Sequence, residues 1–182
     1  MKLIKNDILK FGVPHLSSSY QVRDFLETYQ KAKTINADFT LNFDRDTETN
    51  IELMKALIDR EKNKVLETQL QRLNFINSVQ IDKYIIVVPQ TQAEKQDEGR
   101  QQHNCVGHYY DESIRKGENL IYFIRKASKP DHSYITCRYN IEAKATVEAR
   151  KVNNTAIGNN AEEALIHHID GLIKAGLVQT EN

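Results

Sequence analysis

The sequence lacks an apolar run long enough to cross a membrane. Its densest apolar stretch, residues 84–88, has the length of a single strand, whereas a bilayer-spanning helix needs roughly 20 apolar residues. Residues 1–7 contain neither the apolar segment nor the small-residue cleavage site of a secretory signal. We therefore expect no membrane partner and a cytoplasmic location.

Cysteine is scarce, since the 182 residues include only Cys105 and Cys137. We expect both to be free thiols, because the reducing pool of the cytoplasm disfavours disulfides. A chain of this length buries about 70% of the surface that its unfolded form exposes. It therefore needs neither disulfides nor a structural metal to fold, and we expect no metal or cofactor.

Net charge is absent as well, because 25 Lys and Arg balance 25 Asp and Glu. This balance excludes the strong overall positive field that attracts nucleic acid. The charge is unevenly distributed, however. Residues 115–151 contain nine basic residues against four acidic ones, so this segment is where we expect a polyanion to bind.

Residues 1–80 have the pattern of a hairpin followed by helices. Residues 2–11 predict a β-hairpin that turns at Asn6 and Asp7. A helix is expected from the serines near residue 17 to residue 35. A long amphipathic helix is expected over residues 51–73, and its apolar stripe is either core or a dimer seam, which leaves a homo-oligomer open.

Residues 81–182 have the pattern of an α+β region, within one compact chain. A buried strand at 84–88 is followed by polar helices, three strands and a closing helix that ends before Gly176. Turns between the strands are expected at residues 130–131 and 142–143. The expected bounds are 91–102 and 109–116 for the helices, 120–126, 134–139 and 146–152 for the strands, and 161–175 for the closing helix. The predicted fold class is α+β, with an N-terminal β-hairpin and helices followed by a mostly antiparallel sheet with packed helices.

Four segments of this second region resemble the PcfJ-like family of conjugative plasmids and related mobile elements. They are EGR at 98–100, NCVGHY at 104–109, RKGE at 115–118 and LIYFIRK at 120–126. Their order and gaps match the family, and the resemblance covers about residues 85–169. The chain departs from the family pattern at three positions. Asn104 replaces a histidine, Cys137 a glutamate and Glu148 a glutamine.

The layout of a basic hairpin, a helical region and this module is also similar to small anti-CRISPR proteins of streptococcal mobile elements. This resemblance implies an inhibitor of a type II-A RNA-guided nuclease that acts on the guide RNA, in one case by truncating it. It implies a ribonuclease whose partners are the CRISPR effector nuclease and its guide RNA, in a bacterial cytoplasm. The alternative is a non-catalytic PcfJ-like accessory protein of a conjugative element.

Three residues are candidates for RNA scission. Internal attack on a phosphodiester needs a base, an acid and cations at the phosphate. His108 lies in the motif, and Glu148 and Arg150 have the same strand parity, so both project from one face of a sheet. The alternative for this pair is a surface ion pair on a solvated strand face.

Six further basic residues are candidates for RNA contacts, because point charges on a ribbon or sheet can follow a phosphate backbone. For the hairpin, lysines that protect an edge strand from aggregation are the alternative. The candidates are Lys2, Lys5, Lys10, Arg125, Arg138 and Lys151.

Both cysteines have a structural interpretation. Cys105 next to His103 or His108 is a nucleophile candidate, but the turn at Gly107 favours an inward-packed thiol. Cys137, within an expected strand, is predicted to belong to the core.

Two other patterns favour structural roles. Glu163 and His167 are spaced to share a metal on one helix, but no third ligand is near and a surface pair is expected. A loop around Gly158 suits RNA bases or phosphates and equally suits turns. Its asparagines are Asn153, Asn154, Asn159 and Asn160.

Overall fold

Residues 19–34, 47–108 and 111–180 are described by a computed structural model. They fall into two compact units that divide between Glu61 and Lys62, upstream of the change in sequence character at residue 80. The predicted hairpin, with its three lysines, lies outside the described residues.

The first unit contains paired helices, as the sequence predicts. Helix α1 spans Ser19–Thr34 and helix α2 spans Thr47–Leu73, which continues into the second unit. Phe25 and Tyr29 of α1 form an apolar cluster with residues Ile51 and Met54 of α2. An ion pair of 3.2 Å between Lys55 Nζ and Asp24 Oδ2 joins the same two helices.

The second unit is built on an antiparallel sheet in which, among the described residues, every strand pairs with its neighbours in chain order. Helix α3 (Gln92–Gln102) and the short helix α4 (Asp111–Arg115) connect β2 to β3, and helix α5 (Asn160–Thr180) closes the chain. The strands are β1 (Gln80–Ile81), β2 (Tyr84–Val87), β3 (Asn119–Lys126), β4 (Lys129–Asn140), β5 (Ala145–Lys151) and β6 (Thr155–Ala156). The α+β prediction is confirmed. No helix in the described part of the chain has the length and apolarity to span a bilayer.

Two expected boundaries are wrong. The turn before β4 does not lie at Pro130, because Lys126 pairs with Lys129 and leaves a two-residue turn between them. Pro130 is the second residue of the strand and lies in an irregular stretch, residues 130–132, without a pairing partner on β3, where a missing N–H donor is tolerated. Helix α5 also continues past Gly176, since Leu177 extends its buried face.

The sheet buries an apolar residue set on the face that α5 covers. Ile124 and Ile135 lie opposite each other on β3 and β4 and are fully buried. They pack in one cluster with Ile169 and Ile173 of α5. Burying each such side chain contributes about 1.5–3 kcal/mol. Cys137 belongs to the same cluster, as predicted, and burial raises the pKa of its thiol.

A buried carboxylate fixes the start of α5 on this face. Glu162, whose side chain is 1% exposed, forms an ion pair of 2.6 Å between its Oε1 and Lys151 Nζ. The Tyr134 hydroxyl donates to the same oxygen. Although burial opposes ionisation, these two donors hold the pKa of Glu162 below its usual value.

This lowered pKa gives a pH dependence with a definite sign. A carboxylate with a lowered folded-state pKa contributes stability above its unfolded pKa and loses it as the pH falls. We expect Glu162→Gln to lower the free energy of unfolding most near pH 7. The difference from the wild type should shrink below pH 4.5, the ordinary pKa of the group. Urea unfolding between pH 7 and pH 3 measures this, with exposed Glu163→Gln as the control. A Glu162→Gln deficit that does not change with pH would contradict the assignment.

Candidate functional site

The spacing of the sequence motif has a structural cause in two glycines at the contact between helix α3 and the loop that follows it. Helix α3 ends at His103, which adopts a left-handed backbone with φ of 52°. A Cβ built on Gly99 would lie 3.0 Å from the Gly107 backbone nitrogen, and one on Gly107 would lie 3.0 Å from the Gln96 Cα. A Cβ at either position would therefore have to push its neighbour away by a few tenths of an ångström, and glycine lets the loop lie directly on the helix without this shift.

Hydrogen bonds hold this loop, residues 103–108, in one conformation. The buried Gln92 side chain donates from Nε2 to the Gly107 carbonyl at 2.6 Å. The Asn104 N–H donates to the Gly99 carbonyl at 3.1 Å. The Asn104 side chain in turn accepts from the Val106 N–H at 3.0 Å. These hydrogen bonds tie the loop, which we name the motif loop, to helix α3.

Beside the loop lies a cleft on the sheet face opposite α5. We name it the motif cleft, and it is shallow and open to solvent. Its lining residues come from the loop, from β3 to β5 and from the turn after β5. They are Asn104, Cys105, Val106, Ile121, Thr136, Cys137, Arg138, Glu148, Arg150 and Asn154. The fold thus brings the motif together with the charged strand residues that the sequence singled out.

Three charged side chains give the motif cleft its electrostatic character. Arg138 and Glu148 lie opposite each other on β4 and β5, with Nε to Oε2 at 3.2 Å. Arg150 Nε lies 3.6 Å from Glu148 Oε1. The same-face prediction for Glu148 and Arg150 is confirmed. The three side chains are partly exposed, and their charges sum to +1.

The exposure of Cys105 is a correction to the sequence analysis. Cys105 is exposed and lines the motif cleft, rather than packing inward. Gly107 contacts α3 through its backbone, and the intervening Val106 takes the buried position with 2% exposure. His108 is exposed at the end of the loop and is not among the cleft-lining residues.

Sequence reasoning missed a buried carboxylate directly behind the motif cleft. Glu98 of α3 is fully buried and accepts hydrogen bonds from the Ser133 and Thr136 hydroxyls at 2.6 and 2.9 Å. Arg125 donates to it from Nη2 at 3.1 Å. Burial raises the pKa of the Glu98 carboxyl in spite of these donors. Since Thr136 also lines the cleft, Glu98 supports the cleft floor.

The remaining candidate residues for RNA contacts lie in ion pairs or in a turn. Arg125 is committed to Glu98 and to the Pro130 carbonyl, and Lys151 to Glu162. Their role in RNA binding stays a prediction. Asn153 and Asn154 adopt positive φ values of 58° and 57°, which agrees with turn chemistry.

Metal-ligand geometry is not found in the described ranges. Within residues 19–34, 47–108 and 111–180, no group of three or more His, Cys, Asp or Glu side chains is placed to hold a metal ion. Glu163 and His167 are both exposed on α5.

A family model described as PcfJ-like protein matches residues 26–166, more than three quarters of the chain. The chain belongs to the PcfJ-like family. Neither the curated proteins nor the solved structures contain a match to it. The match begins within α1, so the resemblance extends further towards the N-terminus than the motifs alone indicated.

The structure places the three residues at which this PcfJ-like chain departs from its family pattern. The Asn104 side chain accepts a hydrogen bond from the Val106 N–H within the loop. Cys137 lies in the apolar core. Glu148 faces the motif cleft between two arginines, so this departure adds a carboxylate to the charged part of the site.

Proposed function

We propose that this PcfJ-like chain is an anti-CRISPR inhibitor of a type II-A RNA-guided nuclease and that it acts on the guide RNA at the motif cleft. The observation that carries the proposal is the placement of Arg138, Glu148 and Arg150 beside the motif loop. A phosphodiester carries one negative charge, which matches the +1 sum of these side chains. Arginine is well suited to phosphate because its planar fork of donors fits two phosphate oxygens.

The proposed reaction is internal transesterification of RNA. The 2′-oxygen attacks the adjacent phosphorus while its proton passes to Glu148. The bond from phosphorus to the 5′-oxygen breaks, and the leaving oxygen takes a proton from solvent or from His108, which lies at the end of the loop and outside the cleft lining. Arg138 and Arg150 stabilise the charge on the phosphorus oxygens. The products are a 2′,3′-cyclic phosphate and a 5′-hydroxyl.

The effector nuclease is the proposed partner in this reaction. A chain with zero net charge holds free RNA weakly, because few counterions are released on binding. A guide presented by its effector has its backbone already ordered and held at the protein surface. We therefore expect guide scission to depend on the effector.

The test is a denaturing gel of labelled guide RNA incubated with the protein, with and without the effector, in magnesium and in EDTA. The wild type should shorten the guide in the presence of the effector. Glu148→Gln should slow scission by about 10²–10⁴-fold, the usual contribution of a general base. Arg150→Ala should weaken RNA binding by about ten- to a hundredfold, the worth of a hydrogen bond to a charged group. Exposed Arg23→Ala in the first unit is the matched control.

The reactivity of Cys105 reports independently on whether RNA occupies the motif cleft. Its exposed thiol lines the motif cleft, whereas Cys137 is fully buried. A maleimide should therefore label Cys105 alone, and bound RNA should protect it. Protection without a shortened guide would support the non-catalytic binding module. An intact guide, unprotected Cys105 and an active effector in every sample would refute the proposal.

A further inference from the structure

A second cleft lies in the same unit, between the last turns of α2, the end of α4 and the start of β3. Its cavity volume is about 210 Å³. Three of its lining residues are cationic, namely Arg72, Arg115 and Lys116. These side chains are distinct from those of the motif cleft.

One buried side-chain amide in this second cleft has a donor group without an acceptor among the described residues. Gln69 is 2% exposed, and its Oε1 accepts from the Ile121 N–H at 2.7 Å. This hydrogen bond fixes the orientation of the amide, because only the oxygen can accept. The Nε2 group is therefore the donor on the other side, and it is buried with no partner among the described residues. Buried donors are almost always satisfied in proteins.

Arg72 is the second group that lacks an acceptor. Its side chain is half-buried, lines the same cleft and forms no ion pair or hydrogen bond with any residue that the structure describes. A Cβ built on Gly117 would lie 3.5 Å from Arg72 Nη1, so the guanidinium lies against the turn after α4. Gly117 has φ of 72°, a conformation that glycine adopts without strain.

Together with Arg72, the other two cationic residues give the second cleft a net positive charge. Glu112 pairs with Arg115 at 2.6 Å and lies 3.7 Å from Lys116 Nζ. Three cations against this one carboxylate give a sum of +2. A carboxylate ligand would neutralise half of this charge, whereas a phosphomonoester dianion would neutralise all of it.

We propose that the second cleft is a phosphate-binding site in which Arg72 and Gln69 Nε2 hold the phosphate oxygens and Lys116 supplies further charge. The guanidinium fork and the amide N–H are the donor types that bind phosphate. This inference goes beyond the proposed function, because it assigns a separate ligand to separate residues. The phosphate belongs either to the end of an RNA or to a small phosphorylated molecule.

The test is a calorimetric titration of the full chain with inorganic phosphate. We expect saturable binding by the wild type. Arg72→Met keeps the apolar stem and should weaken binding by about tenfold or more, as the loss of a hydrogen bond to a charged group implies. Exposed Lys116→Met, which does not threaten the fold, should weaken it by a smaller factor. Arg23→Met in the first unit is the matched control and should leave the affinity unchanged.

Short RNAs with a 5′-phosphate or a 5′-hydroxyl distinguish the two sources. Tighter binding of the phosphorylated RNA that Arg72→Met removes would support the site with an RNA end as its ligand. Equal binding of both RNAs, with phosphate binding still lost in Arg72→Met, would support a small phosphorylated ligand. No saturable phosphate binding, or unchanged affinity in both variants, would overturn the proposal. Inorganic phosphate involves no guide RNA, so failure of guide scission leaves this result unaffected.

Discussion

Replacing Glu98 by alanine is expected to lower the free energy of unfolding by about 3–5 kcal/mol, the usual cost of removing one partner of a buried ion pair. The substitution leaves the Arg125 guanidinium, whose side chain is 14% exposed, without its carboxylate. Its Nε already has no hydrogen-bond partner among the described residues. Ser133 and Thr136 lose their acceptor as well. Urea unfolding at neutral pH, followed by circular dichroism, measures the change.

Asp97 provides the matched control on the same helix. Its ion pair with Arg100, at 3.0 Å, joins side chains that are 45% and 78% exposed. Exposed pairs of this kind contribute little, so Asp97→Ala should change the free energy of unfolding by less than about 1 kcal/mol. If Glu98→Ala and Asp97→Ala cost the same, Glu98 does not organise the floor of the motif cleft.

The parts of the fold that depend on local patterns were predictable from the sequence. Runs of strand-forming residues between turns identified β3, β4 and β5, and strand parity placed Glu148 and Arg150 on one face. Strands with strong alternation have their side-chain directions fixed by geometry alone. The sequence therefore indicated half of the motif cleft before any tertiary contact was known.

The other half of the motif cleft depends on long-range contacts, which no local sequence pattern reveals. Helix α3 has no apolar stripe, and its buried face is polar, so the burial of Gln92 and Glu98 leaves no periodic signal. The partners of Glu98 lie 27 to 38 residues away on the strands. A glutamate directly before Gly99 in the motif was the one available indication. Cys105 was misplaced for a related reason, since the loop packs through Gly107 and Val106.

Alanine at Gly99 and alanine at Gly171 are expected to change stability in opposite directions. Gly→Ala within a helix ordinarily stabilises by roughly 0.5–1 kcal/mol, because alanine restricts the unfolded chain and favours helix. Gly171 of α5 has no atom within 4 Å of an added Cβ, so it should show this gain. At Gly99 the new Cβ would lie 3.0 Å from the Gly107 nitrogen and 3.2 Å from the Asn104 oxygen.

Both of these neighbours are backbone atoms, and they belong to residues that hydrogen bonds hold against α3. Overpacking of this kind typically costs about 1–3 kcal/mol. We therefore expect Gly99→Ala to destabilise the chain by about 1–2 kcal/mol after the helical gain is subtracted. The displaced loop should also change the maleimide reactivity of Cys105, whereas Gly171→Ala should leave that reactivity unchanged. A stabilised Gly99→Ala variant with unaltered Cys105 reactivity would show that the contact between α3 and the loop does not shape the motif cleft.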